Sequence, residues 1–204
     1  MAGQSRTRQP RREQILEAAV ELFQRDGYHA TGIDEIGATA GITGPAVYRH
    51  FASKEDILET LLLDLSAETL ATAQQLARDA STPGEALRTL VEFSVDTMLD
   101  NPALAYVAQY ERRTLPRKSR IAIDKAERLY FEEWVQPLMQ LRPELSEAEA
   151  RVVVYATAAL AVAATTYKSN LGHAAAKDLI VTMMLNTLTV PERTIARQRT
   201  RRAG

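Results

Sequence analysis

The chain has 204 residues, 46% of them hydrophobic and 25% charged, with no cysteine and a formal net charge of -1. A chain of this length buries a sizeable core in one or two domains. The lack of cysteine removes disulfides, thiolate zinc sites, iron–sulfur ligation and thiol nucleophiles together, and three widely spaced histidines (His29, His50 and His173) argue against a histidine metal cluster.

The first residues carry no apolar segment of the secretory kind. The longest uncharged stretch, Val152–Tyr167, has sixteen residues, short of the ~20 that a membrane span needs. The expectation is a soluble cytoplasmic protein with no cofactor, no metal site and no membrane partner. The near-zero net charge conceals an asymmetry. Residues 1–12 hold Arg6, Arg8, Arg11 and Arg12 and no acid; residues 191–204 hold five arginines against Glu192; residues 55–190 hold 13 Lys/Arg against 19 Asp/Glu. A basic arm and tail around an acidic middle suggest a polyanion bound at one end of the molecule.

In chain order the periodicity is helical throughout. Ile15, Ala18, Ala19, Leu22 and Phe23 mark one buried helical face, and Gly27 follows as a stop. Ser53 with Asp56, Thr82 with Glu85, and Ser146 with Glu149 read as capping boxes. Asn101-Pro102 and Leu115-Pro116 punctuate between them. The spacing predicts helices near 10–26, 33–40, 44–51, 54–80, 83–100, 102–113, 117–141, 146–171 and 174–189, with no convincing strand. The expected class is all-α: a compact three-helix unit over 1–53 including the basic arm, a bundle of long helices over 54–190 with an interior wide enough for a ligand, and a basic tail over 191–204.

Ile33–Phe51, IDEIGATAGITGPAVYRHF, has the pattern of a helix-turn-helix. Ile33, Ile36 and Ala40 face inward, small Gly37 lets the second helix approach closely, and Gly41 makes a turn where positive φ suits glycine. Ile42 plugs the corner; Val47 and Phe51 return the chain to the core. Thr43 or Gly44 caps the second helix and Pro45 suits its first turn. Thr43, Gly44, Ala46, Tyr48, Arg49 and His50 are left looking outward. A short helix with such a face fits the DNA major groove, about 12 Å wide. Tyr, Arg and His supply phosphate donors and a ring to pack on sugar or a thymine methyl. Lys54 and the helix N-terminus opened by Ser53 add an anion contact, and the arginines ahead of the unit form an arm for the minor groove.

The run GYHATGIDEIGATAGITGPAVYRHFASKEDIL, with its GxxxT, AG turn, VYRHF and SKEDIL elements, resembles the amino-terminal domain of TetR-family transcriptional regulators. The resemblance covers roughly residues 12–60. It implies a homodimer of all-α subunits whose divergent carboxy-terminal domain binds a small ligand. Carried over, it implies DNA-facing Thr43, Gly44, Pro45, Ala46, Tyr48, His50 and Lys54, with Thr31 and Ile33 near phosphate and Arg11 in the arm. Three positions depart from the family pattern. Gly32 stands where many members have Ser or Thr, so one phosphate contact is missing, and Gly37 replaces the usual Ala. Asp34 stands where members often carry Arg; a carboxylate is repelled by phosphate except where it accepts from cytosine, which argues against base readout there.

Residues 146–190 are expected to form the dimer interface. Val152–Thr166 is rich in alanine, so backbones can pack closely, and the next helix adds Leu179, Ile180, Met183, Met184 and Leu188. Ala159, Ala163, Tyr167, Ile180, Met183 and Met184 are the interface candidates, paired with their symmetry mates. For the ligand, Phe93, Met98, Tyr106, Tyr110, Tyr130, Trp134 and Tyr155 gather in the middle helices, and Pro137 bends its helix to widen a cavity. Arg112, Arg113, Arg117, Lys118 and Arg120 form a cationic run, with Arg113 chosen as the polar contact. A basic rim beside an apolar pocket suits a phosphate head on an acyl tail. The stretch from YERRTLP to RPELSEAEARVVV is also similar, more loosely, to actinobacterial regulators found near fatty-acid and acyl-CoA genes. The expectation is a repressor released by a hydrophobic effector such as an acyl-CoA. A multidrug-type sensor and an effector-free DNA binder are the alternatives. An all-α enzyme would have to use Glu132/Glu133 or Glu147/Glu149, yet adjacent helical residues face different ways. No Ser–His–Asp set or Gly-rich phosphate loop appears, so no catalytic residue is expected.

Overall fold

The computed structural model describes residues 10–166 and 170–189, with the backbone alone for 164–166. Arg6, Arg8, Tyr167 and the 191–204 tail lie outside the described residues. Those described form nine helices and no strand: α1 (Arg11–Asp26), α2 (Ile33–Thr39), α3 (Gly44–Val47), α4 (Lys54–Asp79), α5 (Pro83–Asp100), α6 (Pro102–Tyr110), α7 (Arg117–Leu141), α8 (Glu147–Thr166) and α9 (His173–Thr189), with a 3-10 turn at Arg112–Thr114 after α6. None of them is long and apolar enough to cross a membrane.

The start signals act as their chemistry requires. Asp56 N–H donates to Ser53 Oγ at 3.1 Å, Glu85 N–H to Thr82 Oγ1 at 3.2 Å, and Glu149 N–H to Ser146 Oγ at 3.3 Å. Each satisfies an amide that the first helical turn leaves without a partner. Three elements are shorter than their patterns suggest, among them α8, which was expected to reach 171 but is helical to Thr166, with residues 170–171 in a bend. The α-helix expected over 44–51 stops at Val47, and Tyr48–His50 continue as a turn closed by Arg49 N–H to Ala46 O and His50 N–H to Val47 O, at 3.3 and 2.9 Å. The helix expected to reach 113 ends at Tyr110. Pro116 disfavours the α conformation at Leu115, which is extended at φ -67° and ψ 153°.

The chain divides into two compact units, one combining the residues up to Ala67 with Ala103–Asp124, the other combining Glu68–Pro102 with the residues from Lys125 onward. The division expected at 53/54 falls inside the first of them. In that unit Ile15, Ala19, Phe23, Ile36, Val47, Ile57 and Leu58 are fully buried, and Val107, Leu115 and Ile123 join the same core. Each large apolar side chain so removed from water contributes about 2 kcal/mol. Short α2 and α3, unable to hold a helix alone, are fixed by that packing. Ser119, itself buried, donates to Glu59 Oε1 at 2.5 Å and ties α7 to α4 within the unit.

The second unit packs α5, α8 and α9 on one another around Trp134, Leu87, Leu90, Leu138, Met184 and Leu188. Lys177 Nζ stands 2.6 Å from Asp96 and His173 Nε2 3.2 Å from Asp100, linking α9 to α5. Arg151 on α8 is gripped by Glu132 and Glu147, the latter at 2.6 Å, and these two hydrogen bonds hold its guanidinium well above its ordinary pKa. Two of the four carboxylates considered for acid–base chemistry are therefore occupied in an ion-pair network. Met184, expected at the dimer interface, is 0% exposed within the single chain. Val181, Met184 and Leu188 share the inward face of α9, and the 3.6-residue period turns Met183 outward instead.

Candidate nucleic-acid interface

The helix-turn-helix is built from the turn outward. Gly41 has φ +70°, a conformation cheap only without a Cβ, and Ile42 N–H closes the corner on Gly37 O at 2.8 Å. A Cβ on Gly37 would lie 3.0 Å from both Gly44 N and Thr43 C, so the absent side chain sets how closely α3 approaches α2. Gly32 offers no hydroxyl to cap α2, but Glu35 Oε2 accepts from Gly32 N–H at 2.7 Å, which supplies half of a capping box. Val47 and Phe51 are buried, so the intervening side chains face away from the core.

That outward face carries Thr43, Pro45, Tyr48, Arg49 and His50, all exposed, with Ala46 half-buried among them. Tyr48 is 57% exposed, a large ring left in water where packing would bury it. Thr43 occupies the N-cap position with extended backbone, yet its side chain makes no cap hydrogen bond. The hydroxyl is available to a ligand.

Other expected contacts are committed to the fold. Lys54, expected to meet phosphate, directs its ammonium at the carbonyls of Tyr28 and Thr31, both at 2.6 Å, and of His29 at 3.4 Å. It also lies 4.5 Å from the Tyr28 ring centroid. An ammonium has three donors, and all three are matched within the α1–α2 connection. Thr31 is buried and donates its hydroxyl to Gly27 O at 2.9 Å. Ile33 is half-buried against the core. Gly44 is buried, covered by Asp34.

Arg11 and Arg12 were expected in a free arm, but the first turn of α1 holds both. Arg11 Nη1 donates to Gln14 Oε1 at 2.7 Å and to Ala40 O at 3.3 Å. Arg12 lies over the Phe51 ring, 5.1 Å from its centroid. A contact with no local sequence signal adds to this frame: Glu111 Oε1 accepts from Tyr28 N–H at 3.4 Å, across 83 positions. Burial first, then the charges of Glu55 and Glu111, raises the Tyr28 pKa.

The expected ligand residues divide between the two units. Tyr106, Tyr110 and Arg113 belong to the first; Phe93, Met98, Tyr130, Trp134 and Tyr155 belong to the second. Within the second, Phe93 and Met98 pack against the core that contains Tyr130 and Trp134. Trp134 is wholly buried with no hydrogen bond from Nε1, and burial pushes the Tyr130 hydroxyl up to about 12. Tyr155 lies at the edge of this group, its ring 4.4 Å from Phe131. Within the first unit Tyr106 and Tyr110 are exposed, with ring centroids 4.6 Å apart and planes tilted by 41°. Arg112 pairs with Asp124, and Arg113, Arg117 and Lys118 are exposed. Pro137 is buried in α7 and lines an open groove of about 370 Å³ with Arg78, Thr82, Pro83, Glu133 and Gln136; none of the expected ligand residues borders that groove.

The compact three-helix unit with its unburied Tyr-Arg-His face has the arrangement of a helix-turn-helix domain. Residues 15–61 match the family described as bacterial regulatory proteins, tetR family. The chain is 36% identical over 94 residues to the transcriptional activator FasR of Mycolicibacterium smegmatis, covering 46% of this chain and 43% of FasR. It is 29% identical over 152 residues to the transcriptional repressor KstR2 of Mycobacterium tuberculosis, covering 71% and 74%. The match to FasR therefore spans less than half of that relative's length. Among solved structures, a TetR-family transcriptional regulator from Bordetella parapertussis superposes with a TM-score of 0.81 at 20% identity, covering 91% of this chain and 97% of that one. AibR in complex with isovaleryl coenzyme A and operator DNA superposes with a TM-score of 0.71 at 21% identity, covering 85% and 97%. Residues 15–61 thus carry the amino-terminal domain of the tetR family, and the fold is that of TetR-family regulators.

Proposed function

We propose that the chain is a cytoplasmic repressor that binds a palindromic operator as a homodimer and is released by a coenzyme A thioester. The observation that carries the DNA half is the exposed set Thr43, Pro45, Tyr48, Arg49 and His50 on a helix-turn-helix held rigid from behind. With Lys54 turned inward, phosphate contacts fall to the hydroxyls, Arg49 and His50. Arg6 and Arg8 are the residues left for an arm.

Dimerisation is supported by an uncovered apolar stripe. On α8, Val152, Tyr155, Ala156, Ala159 and Ala163 are exposed at helical spacing, and on α9 Leu179 and Met183 are exposed. Val152 reaches 69% and Met183 47%. A stripe of this kind on two adjoining helices is self-complementary across a two-fold axis, with Ile180 at its margin. Two copies then present reading elements about 34–36 Å apart, or a multiple of that.

The effector class rests on the exposed cations Arg113, Arg117 and Lys118 of the first unit, suited to phosphate, and on the coenzyme A thioester bound by the AibR neighbour. Moving the protein from 99% to 1% competent requires a preference of about 10⁴, or ~5.5 kcal/mol. At ~0.8 kcal/mol per methylene, about seven methylenes buried in one state alone would suffice. Helix α4 is continuous from Lys54 to Asp79, so a displacement along it reaches the clamp on the α1–α2 connection. The test is footprinting upstream of the protein's own gene and its neighbours, with and without acyl-CoAs. A protected palindrome lost on adding a thioester supports the proposal. Protection lost only with free hydrophobic compounds gives a multidrug-type sensor, and protection that no compound alters gives an effector-free binder.

A further inference from the structure

Asp34 is the second residue of α2 and is exposed. Its carboxylate makes no hydrogen bond or ion pair among the described residues, whereas its neighbour Glu35 does the capping of α2. Its placement is nevertheless specific. A Cβ built on Gly44 would overlap Asp34 Oδ1, with Cγ at 2.9 Å and Cα at 3.3 Å. Gly44 is the first residue of α3, and the N-terminal residues of a reading helix are those that meet base edges. Gly44 has no functional group to offer. The group that stands at its position is the Asp34 carboxylate.

An ionised carboxylate only accepts hydrogen bonds. In the major groove guanine presents two acceptors and thymine an acceptor and a methyl, while adenine mixes a donor with an acceptor. Cytosine alone presents a lone amino donor. We infer that Asp34 is a specificity-determining residue that accepts a hydrogen bond from a cytosine amino group in each half-site, and that residue 44 is glycine to leave that carboxylate room. This rests on the DNA-binding reading above.

The test is selection of bound duplexes from a random pool by the full-length protein and its Asp34→Asn, Asp34→Ala and Gly44→Ala variants. Wild type is expected to enrich cytosine at one fixed position per half-site, with another base there costing about tenfold or more in affinity. Asp34→Asn, which is isosteric and keeps the packing on Gly44, moves that position toward adenine, the base an amide pairs with. Asp34→Ala relaxes that position alone and leaves the salt dependence of binding unchanged, because no phosphate contact is lost. Gly44→Ala displaces the carboxylate and relaxes the same position. An unchanged site in all three variants overturns the inference. So does tighter binding of Asp34→Ala to every sequence with a steeper salt dependence, since the carboxylate would then only have repelled phosphate. If wild type enriches no sequence at all, the DNA-binding reading itself has failed, an outcome distinct from a defined site indifferent to Asp34.

Discussion

Tyr48 and His50 lie between two buried anchors, Val47 and Phe51, so truncating either leaves the core untouched. Tyr48→Ala and His50→Ala are expected to abolish specific operator binding while changing unfolding free energy by less than about 0.5 kcal/mol. Footprinting and thermal melting measured side by side check this. Lys54 has the opposite character. Lys54→Met leaves carbonyls of the α1–α2 connection short of a donor, at a cost of about 1–3 kcal/mol. Operator affinity falls with it, but the slope of affinity against salt stays the same; a phosphate contact would reduce that slope by about one. The outward direction of Tyr48 was legible in the sequence because Val47 and Phe51 flank it at helical spacing. The employment of Lys54 was not, because its carbonyl partners lie 23–26 positions earlier and no local pattern marks a carbonyl as waiting.

At the scale of elements, helix starts were the most readable feature, since a hydroxyl followed three residues later by an acid marks both partners of a cap. Thr82→Ala is expected to cost about 1 kcal/mol through the start of α5, as measured by chemical unfolding. At α8 the Ser146 hydroxyl, then the Ser146 amide, holds the Glu149 carboxyl below its ordinary value. Its folded-state pKa is depressed, so the stability it supplies is present above the ordinary carboxylate range. That stability is lost as pH falls through the depressed value. Ser146→Ala should return the Glu149 titration toward normal, which side-chain NMR follows directly. Ends were less legible than starts. The reading element stops as an α-helix at Val47 because the chain must turn back at Phe51 and open a new cap at Ser53, a tertiary demand that helical periodicity does not record. Met184 shows the reverse: the spacing Val181, Met184, Leu188 was already in the sequence and distinguishes it from Met183.

For the whole molecule, the exposed stripe on α8 and α9 predicts that Ala159→Glu or Met183→Glu yields a monomer by size-exclusion with light scattering. Operator affinity should fall steeply as the second half-site contact is lost. The all-α class, the helix order and the outward direction of Tyr48, Arg49 and His50 were available from hydrophobic period and turn chemistry. The division of the expected ligand residues was not. Tyr106, Tyr110 and Arg113 share a compact unit with the helix-turn-helix, because Val107, Leu115 and Ile123 bury themselves in that core. Long-range partnership of this kind, like the Glu111–Tyr28 contact, is decided by which apolar faces meet.

The overlap between position 44 and the Asp34 carboxylate also orders the routes by which this head can acquire a new recognition word. A side chain at 44 is sterically admissible only after the acid at 34 has been shortened or turned away. Shortening the acid first leaves a small hollow that the next substitution can fill. Changing 34 first and 44 second avoids the overlap at every step, whereas the reverse order forces the carboxylate aside before anything replaces it.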